Sequence, residues 1–366
     1  MSTRPLAPDR LLDAAANGDR VSLARLLSIV ERGGQPSGEV ARLVYASAPP
    51  YTIGVTGAPG SGKSTLTNQL VVAARRGWPP AGAREGIEPV DKVGVLAIDP
   101  SSPFSGGAIL GDRVRMQQHA TDPSVFIRSM ATRGHLGGLA LAVPEAVRVL
   151  GAAGFPLVIV ETVGVGQMEV EVASAADTTV VVVTPGWGDA MQANKAGLLE
   201  IADLFVVNKA DRPGVNEARR DLEQMLDLSA LSDWRPPVLA TAASTGEGID
   251  ALWEAVARHR SHLMETGELR RRREARLAQE LQRVLTARVL ADVHALATAR
   301  SFEDAVGAIA AGRLDPYRAA ERLLAATLAE SPAERLGARA GGHPAARLGG
   351  HPGARADHRR SDPTAG

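Results

Sequence analysis

The sequence predicts an α/β fold with a doubly wound, mostly parallel sheet and helical extensions at both ends. Seven short apolar runs alternate with segments of helical spacing. They lie at 51–56, 93–99, 124–128, 156–161, 179–184, 203–208 and 237–241. Several runs are apolar at every position, which is typical of strands buried on both faces of a parallel sheet. Ligands of such folds bind at the carboxyl ends of the strands, so the chemistry is expected just after each run.

The composition indicates the type of core and excludes several classes of partner and chemistry. With 45% hydrophobic residues but only 3% aromatic residues, the core must be aliphatic. The formal net charge of zero gives no reason to expect a nucleic acid or an anionic membrane as partner. The chain has no cysteine, which excludes disulfides and thiolate chemistry. No secretory signal and no apolar run long enough to span a bilayer are visible, so a cytoplasmic location is expected.

The chain is predicted to have four regions. They are an N-terminal helical extension (1–50), a nucleotide-binding domain (51–264), a helical arm (265–330) and a disordered tail (331–366). Within the first region, apolar spacing predicts one helix over 9–32 and a second over 38–47. The basic run at 270–276 is interpreted as a solvated helix face, with a partner contact as the alternative.

A phosphate-binding loop follows the first predicted strand. The segment matches G-x-x-x-x-G-K-[ST] and is followed by Thr65; its residues are Gly57, Ala58, Pro59, Gly60, Ser61, Gly62, Lys63 and Ser64. The glycines let backbone N–H groups turn towards phosphate oxygens at a helix N-terminus. Lys63 is expected to reach the β- and γ-phosphates, and to be solvated when no phosphate is bound. Ser64 offers its hydroxyl to Mg²⁺.

A second motif, N-K-x-D, follows the apolar run at 203–208. It consists of Asn208, Lys209 and Asp211. The Asp211 carboxylate can accept hydrogen bonds from both N1–H and the N2 amino group of guanine, a donor pair that adenine lacks. Asn208 either bonds the base or ties down the phosphate loop, and the Lys209 stem can lie over the purine. Ala243 and Ser244, after the last run, are expected to close over the base with backbone N–H groups.

Acidic residues at other strand ends are candidate metal ligands. Glu161, in the segment E-T-V-G, occupies the place of the metal-binding aspartate of common GTPases, and the Gly164 N–H can meet the γ-phosphate. Asp99 ends the second run and opens a Gly/Ser-rich loop that contains Asp112. Each of these two aspartates can coordinate Mg²⁺, orient the attacking water or merely form a turn.

Five segments in this order resemble the MeaB/ArgK family of metallochaperone GTPases, which is related to the methylmalonic aciduria type A protein. They are GVTGAPGSGKSTL, LAIDPSSPFSGGAILGDRVRM, ETVGVGQMEVEVASAAD, TPGWGDAMQANKAGLLEIADLFVVNKAD and TGEGI. The resemblance covers about residues 9–265. It implies a P-loop GTPase domain that binds GTP, GDP and Mg²⁺.

The resemblance also implies a role and a set of residues. Family members escort adenosylcobalamin to an acyl-CoA mutase, commonly methylmalonyl-CoA mutase, and form homodimers through C-terminal helices, here 265–330. Four residues are carried over as catalytic: Lys63, Asp99, Glu161 and Lys195. Ser64, Asp99, Asp112 and Glu161 are placed around Mg²⁺. The loop before Lys195 corresponds to a third switch that faces the mutase, and Met168 and Trp187 depart from the family's usual residues.

Three other functions compete with this interpretation. A nickel-delivery GTPase usually carries histidines or cysteines before its GTPase domain, and residues 1–50 contain neither. A transport-associated ATPase or kinase would use ATP, against which the N-K-x-D motif argues. A scaffold with a dead nucleotide site would need a broken phosphate loop or metal set, and both are intact.

Overall fold

The computed structural model describes residues 7–77, 91–100, 119, 121–132, 138–162, 175–186, 195–228, 233–297 and 300–329. Its strands are β1 (Tyr51–Gly57), β2 (Val93–Pro100), β3 (Val125–Thr132), β4 (Leu157–Thr162), β5 (Thr178–Val183), β6 (Leu204–Asn208) and β7 (Val238–Thr241). The described helices are α1 (Pro8–Ala16), α2 (Arg20–Arg32), α3 (Gln35–Val44), α4 (Lys63–Arg76), α5 (Gly138–Ala152), α6 (Lys195–Ile201), α7 (Val215–Leu228), α8 (Ile249–Glu265), α9 (Glu268–Ala297), α10 (Arg300–Ala310) and α11 (Pro316–Ala329).

The described strands form one sheet in the order β3-β2-β4-β1-β5-β6-β7. Every neighbouring pair is parallel. The strand β1 lies near the centre, and the chain winds outward from it in both directions. Each predicted apolar run overlaps one strand, so the predicted doubly wound parallel sheet is confirmed. The carboxyl end of β1, where the winding changes direction, is the expected place for a ligand.

Along each strand, successive side chains point to opposite faces of the sheet. Ile53 and Val55 of β1 pack with Leu66 and Leu70 of α4 on one face, to which α8 also contributes. The intervening side chains of β2 and β4 face α2 and α5. Because side chains alternate with a period of two residues, the position of any strand residue on one face or the other follows from its register.

The N-terminal region differs from the predicted single helix over 9–32. The chain leaves the helix at Asn17, and Gly18 takes a φ of 94° before α2 begins. The Asp19 carboxylate caps α2 by accepting from the backbone N–H groups of Val21 and Ser22, at 3.1 and 3.2 Å. The prediction of one helix was therefore wrong, because Gly18 and Asp19 supply a stop and a start that outweigh the apolar periodicity.

The chain divides into two compact units, Met1–Arg288 and Val289–Gly366, and the boundary falls within the residues of α9. In the first unit the basic run differs from its interpretation as a solvated face. Arg272 pairs with Asp203, and both Arg273 and Arg276 pair with Asp177. The interpretation was wrong for these three arginines, since two buried carboxylates need their charge. The predicted boundaries at 50 and 264 stay predictions, and the tail at 331–366 lies outside the described residues.

Candidate functional site

The phosphate-loop sequence runs from the end of β1 to the first turn of α4. Gly57 has a φ of 136°, and a side chain there would collide with the carbonyl group of Val182 on β5. Gly62 has a φ of 91°, and a side chain there would collide with the side-chain amide of Asn208. Glycine is therefore required at both positions for conformation and for space. The helix that follows points its free N–H groups and its positive dipole end at this loop.

Lys63, the first residue of α4, is buried, with only 6% of its surface exposed. Its ammonium group donates to the carbonyl oxygens of Gly57 and Ala58, at 2.6 and 2.9 Å. The expectation that this side chain is solvated was wrong, because a buried ammonium must find acceptors and the loop carbonyls supply them. The charge is thus held at the loop itself, where phosphate oxygens could replace these acceptors.

The predicted metal ligands Ser64 and Glu161 meet directly. The Ser64 hydroxyl donates to the Oε1 atom of Glu161 at 2.6 Å, and Glu161 is 1% exposed. Glu161 is in register with Val55 of β1 and with Ala97 of β2, so its side chain lies on the α4 face of the sheet. Asp99, two residues beyond Ala97, is buried on that same face.

These oxygen groups fit the requirements of Mg²⁺, which prefers carboxylate and hydroxyl oxygens and retains several waters. Buried carboxylates are costly unless a cation or hydrogen bonds compensate them, and Asp99 and Glu161 end neighbouring strands beside the phosphate loop. The described structure therefore brings together Ser64, Asp99 and Glu161. Asp112 and Gly164 lie outside the described residues.

The side chain of Asn208 makes the tie to the phosphate loop, which is one of the two alternatives that the sequence left open. Its Nδ2 group donates to the Ser61 carbonyl at 2.8 Å. Its Oδ1 atom accepts from the Thr241 hydroxyl and from the Ala243 N–H, both at 3.1 Å. Asn208 thus ties the phosphate loop to the end of β7. Sequence reasoning did not single out Thr241, whose hydroxyl at a strand end carried no motif.

The other two residues of the N-K-x-D motif, Lys209 and Asp211, are less buried than Asn208. Lys209 has a φ of 62°, in the left-handed region that non-glycine residues rarely adopt, and its Nζ atom donates to the Gly60 carbonyl at 2.6 Å. The Lys209 side chain therefore spans from β6 to the phosphate loop. Two residues later the Asp211 side chain is exposed, as a carboxylate that reads a ligand must be.

The first backbone N–H groups of the loop after β7 are hydrogen-bonded to acceptors within the chain. The Ala242 N–H donates to the Glu247 carbonyl at 3.0 Å, and the Ala243 N–H is taken by Asn208. Ser244, which is exposed, is the remaining candidate for a backbone contact to a base. Gln69 of α4 was not predicted; it donates to the Ala243 carbonyl at 3.0 Å and holds this loop against the phosphate-loop helix.

Other predicted residues cannot be placed at the site. Lys195 begins α6, but its side chain lies outside what is described. The segment 187–194, with Trp187, and residues 163–174, with Met168, also lie outside the described residues. Among the described helices, none combines the length and the apolar character needed to cross a bilayer.

Comparison with known proteins places this site in context. The family model described as methylmalonyl-CoA mutase-associated GTPase MeaB matches residues 23–298. A Pyrococcus abyssi protein that is named as a GTPase is 44% identical over 321 residues, which are 86% of this chain and 95% of that protein. The mouse methylmalonic aciduria type A homolog, a mitochondrial protein, is 32% identical over 286 residues, covering 73% of this chain and 66% of its own.

A solved structure agrees with the fold. The crystal structure of a LAO/AO transport system kinase superimposes with a TM-score of 0.61 at 27% identity, covering 88% of this chain and 98% of that one. The family model spans most of the chain, including the phosphate loop, the buried Glu161 and the N-K-x-D motif. The chain belongs to the MeaB family of methylmalonyl-CoA mutase-associated GTPases.

Proposed function

We propose that the protein binds GTP with Mg²⁺, hydrolyses it to GDP and phosphate, and uses this cycle to assist adenosylcobalamin loading and protection of a B12-dependent acyl-CoA mutase. The observation that carries the proposal is the bond from Asn208 to the Ser61 carbonyl. It fixes the N-K-x-D segment against the phosphate loop, so that one bound nucleotide could be held at its phosphates and at its base.

Each residue of the site has a role in this proposal. The phosphate-loop N–H groups and the α4 dipole bind the β-phosphate. The Lys63 ammonium exchanges the Gly57 and Ala58 carbonyls for β- and γ-phosphate oxygens, so its charge is already in place before the nucleotide arrives. Ser64, Asp99 and Glu161 would hold Mg²⁺, which when bound neutralises charge on the phosphates. Asp211 selects guanine.

The mutase part of the proposal has a separate basis. It is supported by the description of the family model, which names a methylmalonyl-CoA mutase, and by the similarity to the mouse methylmalonic aciduria type A homolog. We infer that the partner is an adenosylcobalamin-dependent acyl-CoA mutase and that the segment between β5 and α6, which includes residues 187–194, faces it.

A transport-associated ATPase or kinase is the second candidate, favoured by the similarity to the LAO/AO transport system kinase. The two functions differ in the base that must be read. An exposed carboxylate at Asp211 suits the paired donors of guanine, whereas adenine would leave that carboxylate unsatisfied. We therefore prefer the GTPase over the ATPase.

Two measurements on the full chain test the proposal. Phosphate release from GTP and from ATP should show turnover of GTP only, and the Lys63→Ala variant should lose it. Size-exclusion chromatography with an adenosylcobalamin-dependent methylmalonyl-CoA mutase should then show a complex whose stability differs between GDP and a non-hydrolysable GTP analogue. Turnover of ATP would favour the alternative, and the absence of any complex in either nucleotide state would contradict the mutase role.

A further inference from the structure

Two buried aspartates lie at the amino-terminal ends of strands, the end of the sheet opposite the proposed nucleotide site. Asp177 directly precedes β5 and Asp203 directly precedes β6. The Asp177 carboxylate accepts from the Thr52 N–H at 3.1 Å, and the Asp203 carboxylate accepts from the Thr179 N–H at 2.8 Å. Both carboxylates therefore brace the first residues of neighbouring strands.

Three arginines from the start of α9 neutralise these carboxylates. Arg273 makes two bonds to Asp177, from Nη2 at 2.6 Å and from Nε at 3.1 Å, and Arg276 also pairs with Asp177. Arg272 donates to Asp203 at 2.9 Å. Burial alone would raise the pKa of both aspartates, but the hydrogen bonds and charges around them lower it. Two carboxylates held ionised in the interior are paired, and their arginine partners all come from one helix.

Further polar contacts extend this network. His259 of α8 is fully buried; its Nε2 atom lies 3.2 Å from Asp203, and its Nδ1 atom is 2.8 Å from the Thr178 hydroxyl. The indole of Trp234 packs against the His259 ring at an interplanar angle of 54°, with centroids 4.8 Å apart, and its N–H donates to the Asp203 carbonyl. The starts of β5 and β6 are thus held jointly by α8 and α9.

The same two strands lead to the nucleotide site. The strand β5 is in register with the phosphate loop, because Gly57 pairs with Val182. It ends at Val183, directly before the segment between β5 and α6 that we propose faces the mutase. The strand β6 ends at Asn208, which ties the phosphate loop. A displacement at the start of either strand would therefore act on the site through a rigid element.

We propose that Arg272, Arg273 and Arg276 form with Asp177 and Asp203 an ionic latch that couples the position of helix α9 to nucleotide binding. The latch is a regulatory device of the proposed function: any event that moves α9 would change the hold on β5 and β6. This inference rests on the proposed function, because the latch is measured through nucleotide affinity. The exposed Arg270 and Arg271 on the same helix, whose ion pairs are with residues of α9 itself, lie outside the latch.

The test compares two double variants of the full chain. Arg273→Gln with Arg276→Gln removes both arginine partners of Asp177, whereas Arg270→Gln with Arg271→Gln makes the same change in charge on the exposed face. Titration of fluorescent GDP with Mg²⁺ should show at least about fivefold weaker binding for the latch variant and a change below about twofold for the control. Hydrogen exchange should quicken at the starts of β1 and β5, which Asp177 holds, in the latch variant alone.

If the latch variant does not fold, Arg276→Gln takes its place, because Arg273 keeps its two bonds to Asp177. The single variant should shift GDP affinity and exchange in the same direction by a smaller amount. Unchanged GDP affinity in a folded latch variant, or an equal loss in the control, would overturn the latch. A wild-type protein that binds no GDP would instead overturn the proposed function.

Discussion

The side-chain amide of Asn208 donates to the backbone carbonyl of Ser61 at 2.8 Å, across a separation of 147 residues in the chain. The same side chain accepts from Thr241 and Ala243. One buried residue thus connects the phosphate loop, the N-K-x-D segment and the loop after β7. The three segments that would surround a nucleotide are positioned by hydrogen bonds within the chain, so the site is preorganised.

Replacing Asn208 by alanine should therefore damage both stability and binding. The change leaves the Ser61 carbonyl and the Ala243 N–H without their buried partner, and we expect a loss of about 2–3 kcal/mol in the free energy of unfolding. Urea denaturation measures this loss. Asp211→Ala serves as the comparison, because its exposed side chain should change stability by less than about 0.5 kcal/mol. Equal stability of wild type and Asn208→Ala would contradict the account.

Asp211 should decide which base is bound. In Asp211→Asn an amide NH₂ group replaces one carboxylate oxygen. The N2 amino group of guanine then loses its acceptor, whereas the C2 carbonyl of xanthine gains a donor. Isothermal titration should show GDP binding that is weaker by a factor of about 100 or more, with improved binding of xanthosine diphosphate. Wild type should prefer GDP strongly to ADP, and equal affinity for the two would remove Asp211 from base selection.

The sequence predicted the sheet well, because the buried strands are apolar throughout and the phosphate loop and N-K-x-D motifs mark two strand ends. It could not predict polar contacts that no motif marks. Nothing near Arg272, Arg273 or Arg276 indicates that Asp177 and Asp203 lie beneath them, so the run at 270–276 has the pattern of a solvated face. The buried state of Lys63 was missed for the same reason, since its acceptors are backbone carbonyls that no residue type reveals.

Glu145 should make stability depend on pH. Burial, only partly offset by the bond from Ser37, raises its pKa to about 6. An acid whose pKa is raised on folding destabilises the folded state when it ionises. Stability should therefore fall by about 1–2 kcal/mol as the pH rises from 4.5 through 6. Urea denaturation across this range should show a flatter profile for Glu145→Gln, and an identical slope would argue against a buried, titrating Glu145.

The homodimer that the family resemblance implies would need an exposed apolar surface on a C-terminal helix, and α9 carries such a surface. An exposed apolar stripe lies on this helix; its members are Leu277, Leu281, Val284 and Leu285. Exposed apolar stripes of this kind favour association with another helix. Leu281→Arg with Leu285→Arg should convert a dimer into a monomer by light scattering, with little effect on the folding of the monomer, because both side chains are exposed.

Gln279→Arg, an exposed change away from these leucines, is the matched control and should leave the dimer intact. Point variants are preferable to truncation near residue 262, which would remove the arginine partners of Asp177 and Asp203. A dimer that survives the double leucine variant would place the interface elsewhere.

We propose that a mutase partner acts on this GTPase through the segment between β5 and α6. Lys195 begins α6, directly after that segment. We expect partner binding to bring its charge to the γ-phosphate. In other GTPases, an arginine that stabilises the transition-state charge there contributes a factor of about 10³ or more. The most direct measurement is GTP turnover by wild type and by Lys195→Ala, each with and without an adenosylcobalamin-dependent methylmalonyl-CoA mutase. We expect strong stimulation of wild type and an unchanged basal rate with most of the stimulation lost in the variant. Undiminished stimulation of Lys195→Ala would remove this residue from the coupling, and a wild-type rate that does not respond to the mutase would contradict the claim itself.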